Sequence, residues 1–225
     1  MWRPGWFPAG PEGVPGSTTD QPAGLLRRRV VVAMVLVVGA GLLAVSLGLE
    51  PGESSFYWLT LALAGVWAVG ALLSGPLHLG TGRRPVFLGT AVGLGLGLVF
   101  VVGGLVARLI PGLREYVAAV LEFANHGSLV VVVLITLING LAEELFFRGA
   151  LYAALGDHHP ATISTVIYVV AVMASGNPML GFAAILLGAV CAAERRMTDG
   201  VLAPMLTHFF WGLIMVLALP PIFGV

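Results

Sequence analysis

Seven apolar runs, at about 30–49, 55–75, 86–110, 128–150, 160–175, 178–193 and 200–219, occupy most of this 225-residue chain. A helix needs about 20 mainly apolar residues to cross a hydrocarbon core about 30 Å thick, and in lipid every backbone polar group must be satisfied within its own segment. Runs of this kind therefore fold as transmembrane helices. Only 10% of the residues are charged, against about 25% in a soluble domain, so lipid is the solvent for most of the chain. The expected fold class is all-α, a polytopic transmembrane helical bundle of about seven spans. The fifth and sixth runs are short and are separated by Gly176-Asn177-Pro178, which predicts a tight helical hairpin shielded by its neighbours.

The basic residues are eleven arginines with no lysine, balanced by eleven acids, which gives no footprint for nucleic acid. Their positions set the topology. With Arg27, Arg28 and Arg29 in the cytoplasm, Arg83, Arg84, the 148–159 connection, Arg195 and Arg196 fall on the same side, while loops 50–54 and 176–178 carry no basic residue. Arg108 and Arg114 dissent. The asymmetry predicts a cytoplasmic N-terminus and an exterior C-terminus for a multi-pass protein, whose expected location is a bacterial-type plasma membrane.

Residues 1–26 are expected as a disordered cytoplasmic tail, 27–127 as three spans plus an interfacial helix, and 128–219 as a core of four spans. The run after Arg29 is longer than a signal-peptide core and is closed by no cleavage pattern, so it is expected to remain as an anchor. Between Pro111 and Asn125, Arg114, Glu115 and Glu122 oppose Leu113, Val117, Val120 and Leu121, the pattern of an amphipathic interfacial helix. Glycines 89, 93, 95, 97, 103 and 104 are expected at close helix contacts, and Trp58, Trp67 and Trp211 as packing or interface anchors. The single cysteine, Cys191, is expected as a buried packing residue.

Against this apolar background stands Asn139-Gly-Leu-Ala-Glu-Glu-Leu-Phe-Phe-Arg-Gly149. An ionisable group inside a bilayer costs about 2.5–3.5 kcal/mol even on a lenient scale, so two carboxylates and an arginine in six residues call for a role. Glu144 and Arg148 are four apart, share a helix face and can neutralise each other. Glu143 points about 100° away, with no partner on its own helix. The inferred topology brings His208, on the last span, to a similar depth. Hydrolysis of a peptide bond requires a base for water and a donor for the developing oxyanion, and Glu143 and His208 can fill those roles; the same groups are also metal-ligand types.

Glu143-Glu144-x-x-x-Arg148 followed by Gly149, and Ala203-Pro-Met-Leu-Thr-His208, resemble the first and last motifs of the CPBP membrane proteins (CAAX protease and bacteriocin-processing, or Abi). The resemblance covers about residues 128–219. It implies a membrane endopeptidase in which Glu143 activates water while Glu144 and Arg148 support the site, so that Glu143, Glu144, Arg148 and His208 form the candidate catalytic set. Two positions depart from the family pattern: valine stands at 172, four after Tyr168, where histidine is expected, and glycine stands at 212 in place of Asn or Asp.

No cofactor is required on this reading. A divalent metal such as zinc would have Glu143, Glu144 and His208 as ligands, a poor set by type, and is not favoured. The expected partners are the lipid bilayer and a membrane-embedded or lipidated peptide or protein substrate. The rival reading is an inactive pseudo-protease retained as a membrane binding partner or chaperone. A proton-relay transporter is weaker, since no inverted repeat is visible.

Overall fold

The structure, a computed structural model, describes residues 22–126 and 128–225. Of the predicted tail, 1–26, positions 1–21 lie outside the described residues and positions 22–26 are helical. The first helix, α1, runs Pro22–Leu47 and carries the three arginines in its opening turns. It is followed by α2 (Ser54–Ser74), α3 (Arg84–Ala107), α4 (Leu113–Asn125) and α5 (Leu129–Glu144). A π-helical segment, Leu145–Leu151, continues α5 without a break into the short α6 (Tyr152–Leu155). Next come α7 (Pro160–Met173), α8 (Pro178–Thr198) and α9 (Leu202–Phe223). No strand occurs among the described residues.

Six of these helical stretches are long and apolar enough to cross a membrane: 24–47, 54–74, 84–107, 129–155, 178–198 and 202–223. The seventh expected span, α7, has 14 residues and is about 21 Å long at 1.5 Å per residue, short of a full crossing. Its partner α8 is longer than the sequence suggested, ending at Thr198 instead of 193. The hairpin between them forms as expected. Asn177 caps α8, its Oδ1 accepting from the backbone N–H of Met179 (2.9 Å) and Leu180 (3.3 Å), and Pro178 occupies the first turn, where it removes no helical bond.

Loops and side chains tie the helix ends into two sets. At one end, Arg27 donates to the carbonyl of Leu73, Arg28 to Ser74 and Pro76, and Arg29 to Ala154. The start of α9 is tied in there too, with the N–H groups of Val201 and Leu202 bonded to the carbonyls of His78 and Leu79 at 2.9 and 3.0 Å. At the other end, Asn177 Nδ2 donates to Tyr116 O at 2.8 Å, and Phe56 stacks on Phe123 with ring centroids 4.5 Å apart. There α4 folds against the end of α9, where Ala107, Leu121 and Phe223 form a small core. Followed through these ties, α1, α2, α3, α5–α6, α7, α8 and α9 run alternately between an arginine-rich end and a distal end. Pro22 starts at the former and Val225 lies at the latter.

The main core lies between α1, α2, the π segment and α7, around Trp67, Phe146, Phe147 and Tyr168. On the outside, Val37, Phe87, Leu98, Val130 and Val170 are each more than 60% exposed, a surface that only lipid solvates well. These features make the chain a multi-pass membrane protein. The glycine expectation holds in part. Gly89, Gly93, Gly97 and Gly104 of α3 meet α9 so closely that a Cβ on any of them would strike α9 backbone or side chains, whereas Gly95 and Gly103 have nothing within 4 Å. The helical period decides this, since residues 89, 93, 97 and 104 follow one face and 95 and 103 another.

Candidate active site

Glu144 is the hub. It is fully buried, and its Oε1 accepts from Arg148 Nη1 at 3.0 Å and lies 2.9 Å from His208 Nδ1. The i,i+4 pair expected from the sequence therefore forms inside the bundle, across the junction between α5 and the π segment. A carboxylate facing a guanidinium is an acceptor only, so Nδ1 of His208 is the donor and Nε2 is the ring nitrogen left for other chemistry. Glu144 Oε2 is buried without a partner among the described residues.

Arg148 is also fully buried, and it holds more than its carboxylate. Nη2 donates to Gly188 O on α8 at 3.0 Å, and the guanidinium lies over the Tyr168 ring at 4.6 Å. Its own backbone carbonyl accepts from Arg195 Nε at 3.0 Å. One arginine thus joins the π segment to α7 and α8. Gly188 permits this approach, because a Cβ there would lie 3.1 Å from the Tyr168 ring and 3.2 Å from Arg148 Nη2.

Glu143 faces a different neighbour. Tyr168 donates its phenolic O–H to Glu143 Oε2 at 3.0 Å. On its own helix Glu143 has no partner; the partner stands 25 residues on, on α7. Tyr168 is thus a site residue that the sequence reading quoted only as the first letter of an incomplete motif. Val172, one turn further along α7, packs against the apolar core beside Tyr168.

His208 enters from α9, six residues and about 9 Å beyond the helix start at Leu202. Its ring fits because position 140 is glycine, where a Cβ would come within 2.8 Å of Cδ2 and 3.1 Å of Nε2. Trp211 meets the ring edge-on at 5.6 Å. Gly212, the second departing motif position, has Thr136 Cγ2 as the nearest neighbour to a built Cβ, at 3.8 Å, so a side chain there would meet ordinary contact. Asn139 bonds its own helix, Nδ2 donating to Ile135 O at 3.0 Å, and does not orient Glu143.

Behind His208, Thr207 Oγ1 lies 2.8 Å from Glu194 Oε1 and 3.1 Å from Gly89 O, a buried polar link between α9, α8 and α3. The sequence reading gave Glu194 no role. Its position one residue before Arg195, near a helix end, reads as a solvated charge, yet it is 3% exposed.

The expected candidates Glu143, Glu144, Arg148 and His208 are therefore brought together, with Tyr168 added. As a metal site the set does not fit. No group of three or more His, Cys, Asp or Glu able to hold a metal ion occurs among the described residues. The oxygen of Glu144 nearest His208 already accepts from an arginine, and Glu143 bonds to a phenol. The one cysteine, Cys191, is buried as expected, with Sγ 3.8 Å from Pro204 O.

No curated protein and no solved structure matches the chain. The family described as Rce1-like, type II CAAX prenyl endopeptidase Rce1-like, matches residues 125–214, the stretch from the end of α4 to the middle of α9 that contributes every site residue named above. The match over residues 125–214 is consistent with a CPBP family protease.

Proposed function

We propose that the protein is an intramembrane endopeptidase that hydrolyses a peptide bond in a membrane-embedded or lipidated substrate, working at the arginine-rich end of the bundle in the cytoplasmic half of a plasma membrane. The observation that carries this reading is the division of labour between adjacent carboxylates. Glu144 is bound to Arg148 and His208, while Glu143 keeps only a phenol as partner. Glu143 takes a proton from water, and the hydroxide attacks the scissile carbonyl carbon. The oxyanion that forms is met by Nε2–H of His208 as imidazolium, with Glu144 compensating its charge through Nδ1–H. Collapse breaks the C–N bond, and the proton held by Glu143 passes to the leaving amine. Tyr168 fixes the Glu143 carboxylate in the orientation for this transfer. No step is routed through a metal.

Substitution of Glu143 by Gln keeps shape and hydrogen bonding but removes basicity. Cleavage of a membrane substrate by the purified protein is expected to fall about 10²- to 10⁴-fold, and His208→Ala is expected to cost about 10²- to 10³-fold. Tyr168→Phe should cost about tenfold, the equivalent of one hydrogen bond to a charged group.

One observation favours the pseudo-protease as a second reading, since the position that the family pattern gives to histidine is Val172, packed with the apolar core. That reading expects Glu143→Gln to leave the cellular function intact. It also expects Val172→His with Gly212→Asn to add no activity, where a weakened protease would gain.

A further inference from the structure

At the arginine-rich end, α1, α6 and α7 enclose a groove of about 440 Å³ that is separate from the carboxylate site. Its walls are almost wholly apolar, with Val32, Leu36, Leu151 and Ile167 among them, and Arg29 and His158 are its polar lining residues. Arg29 is exposed and anchored at the rim by one bond, Nε to Ala154 O at 3.1 Å, while its two terminal nitrogens make no bond among the described residues. His158 is also exposed, with Nδ1 3.2 Å from Leu155 O. Asp157 is the acid adjacent to it in sequence, set against Arg27, Arg28 and Arg29.

From this geometry we propose that the groove is a binding site for an anionic phospholipid, with one acyl chain along the α1–α7 walls and the phosphate on Arg29. Charge at the rim identifies the occupant. An acyl chain gains little by leaving bulk lipid for an apolar groove, because lipid tails are as apolar as the walls. Preference must therefore arise at the headgroup, where a guanidinium with two unengaged NH₂ groups matches a phosphate bidentately. Basic pockets between transmembrane helices on the cytoplasmic side suit such headgroups, and seven of the eleven arginines (27, 28, 29, 83, 84, 195 and 196) cluster at this end. The site would fasten α1 to the helices that carry Glu143 and Tyr168, and it does not depend on the protease reading.

The test is lipid retention by the full chain in native mass spectrometry, with phosphatidylglycerol and phosphatidylcholine of identical acyl chains as probes. Phosphatidylglycerol is expected to be retained about fivefold better, on the scale of one arginine at a charged surface. Arg29→Gln should remove that preference and Arg29→Lys should keep most of it. Ala33→Phe, which narrows the groove without altering charge, should lower phosphatidylglycerol retention. Arg196→Gln, exposed at the same end but outside the groove, should change nothing. Equal retention of the two lipids overturns the proposal, as does an Arg196→Gln effect equal to that of Arg29→Gln, which would mark a diffuse field. Unaltered retention in Ala33→Phe overturns it independently, should Arg29→Gln fail to fold. Displacement of the phospholipid by a farnesylated peptide would assign the groove to substrate, and uptake of phosphatidylglycerol only after removal of residues 1–20 would assign it to the chain's own N-terminal segment.

Discussion

Gly140 has no side chain, and the His208 ring sits where one would be. Adding a single methyl group there is therefore a clean way to move the histidine without changing any chemical group of the site. Gly140→Ala is expected to cost about 1–3 kcal/mol from overpacking, while displacing the ring from Glu144. A displacement of about 1 Å can lower a rate about 10²-fold, so cleavage should suffer far more than thermal stability in detergent. Retention of the full rate by Gly140→Ala would show that the ring position is irrelevant to the chemistry. At this scale the sequence revealed what a single helix contains. The Glu144–Arg148 pair was legible because four residues along a helix make a contact almost by definition. Tyr168 on Glu143 and Thr207 on Glu194 were not legible, since each joins different helices and nothing in spacing specifies which faces meet.

Among the elements, α3 and α9 make the most extensive contact, and at Gly89 and Gly93 it sets glycine against backbone. A Cβ on Gly93 would lie 2.8 Å from Thr207 O and 2.9 Å from Thr207 Cα, while Gly95 faces open space. Gly93→Leu is expected to destabilise the bundle by about 3 kcal/mol or more, and Gly95→Leu to stay within about 0.5 kcal/mol, as read by unfolding in mixed micelles. Equal effects would mean that the two helices do not meet on this face. That glycines lie at close contacts was legible from their number in one span; which four of the six do so needed the rotational setting of α3, which depends on α9. The π-helical turn after Glu144 was not legible at all. Its residues Leu145-Phe-Phe-Arg-Gly-Ala-Leu151 hold no proline and a single glycine, Gly149, and Phe146 to Leu151 are all buried.

For the whole molecule, the alternation of helices between two ends is a topological statement that reporters can read. Fusions at residue 52, in the α1–α2 loop of the distal end, and at residue 198, at the close of α8 at the arginine-rich end, are expected to report opposite compartments, with 198 cytoplasmic. Both reporting one side would overturn the map. The spans themselves were legible because lipid leaves a chain few options: backbone bonds must close locally, so hydropathy alone marks the helices. The shortfall of α7 and the helical state of residues 22–26 were not, since burial among neighbours decides where a helix of that length can stop. The bonds from Val201 and Leu202 to His78 and Leu79, with Thr207 reaching Gly89, join the His208 helix to a loop and a helix that precede residue 125. The stretch shared with the family is therefore not a portable cassette. Grafted into another membrane protein it would bring every residue of the candidate site and lose the wall that holds one of them in place, so the unit that must be inherited together is larger than the stretch the family shares.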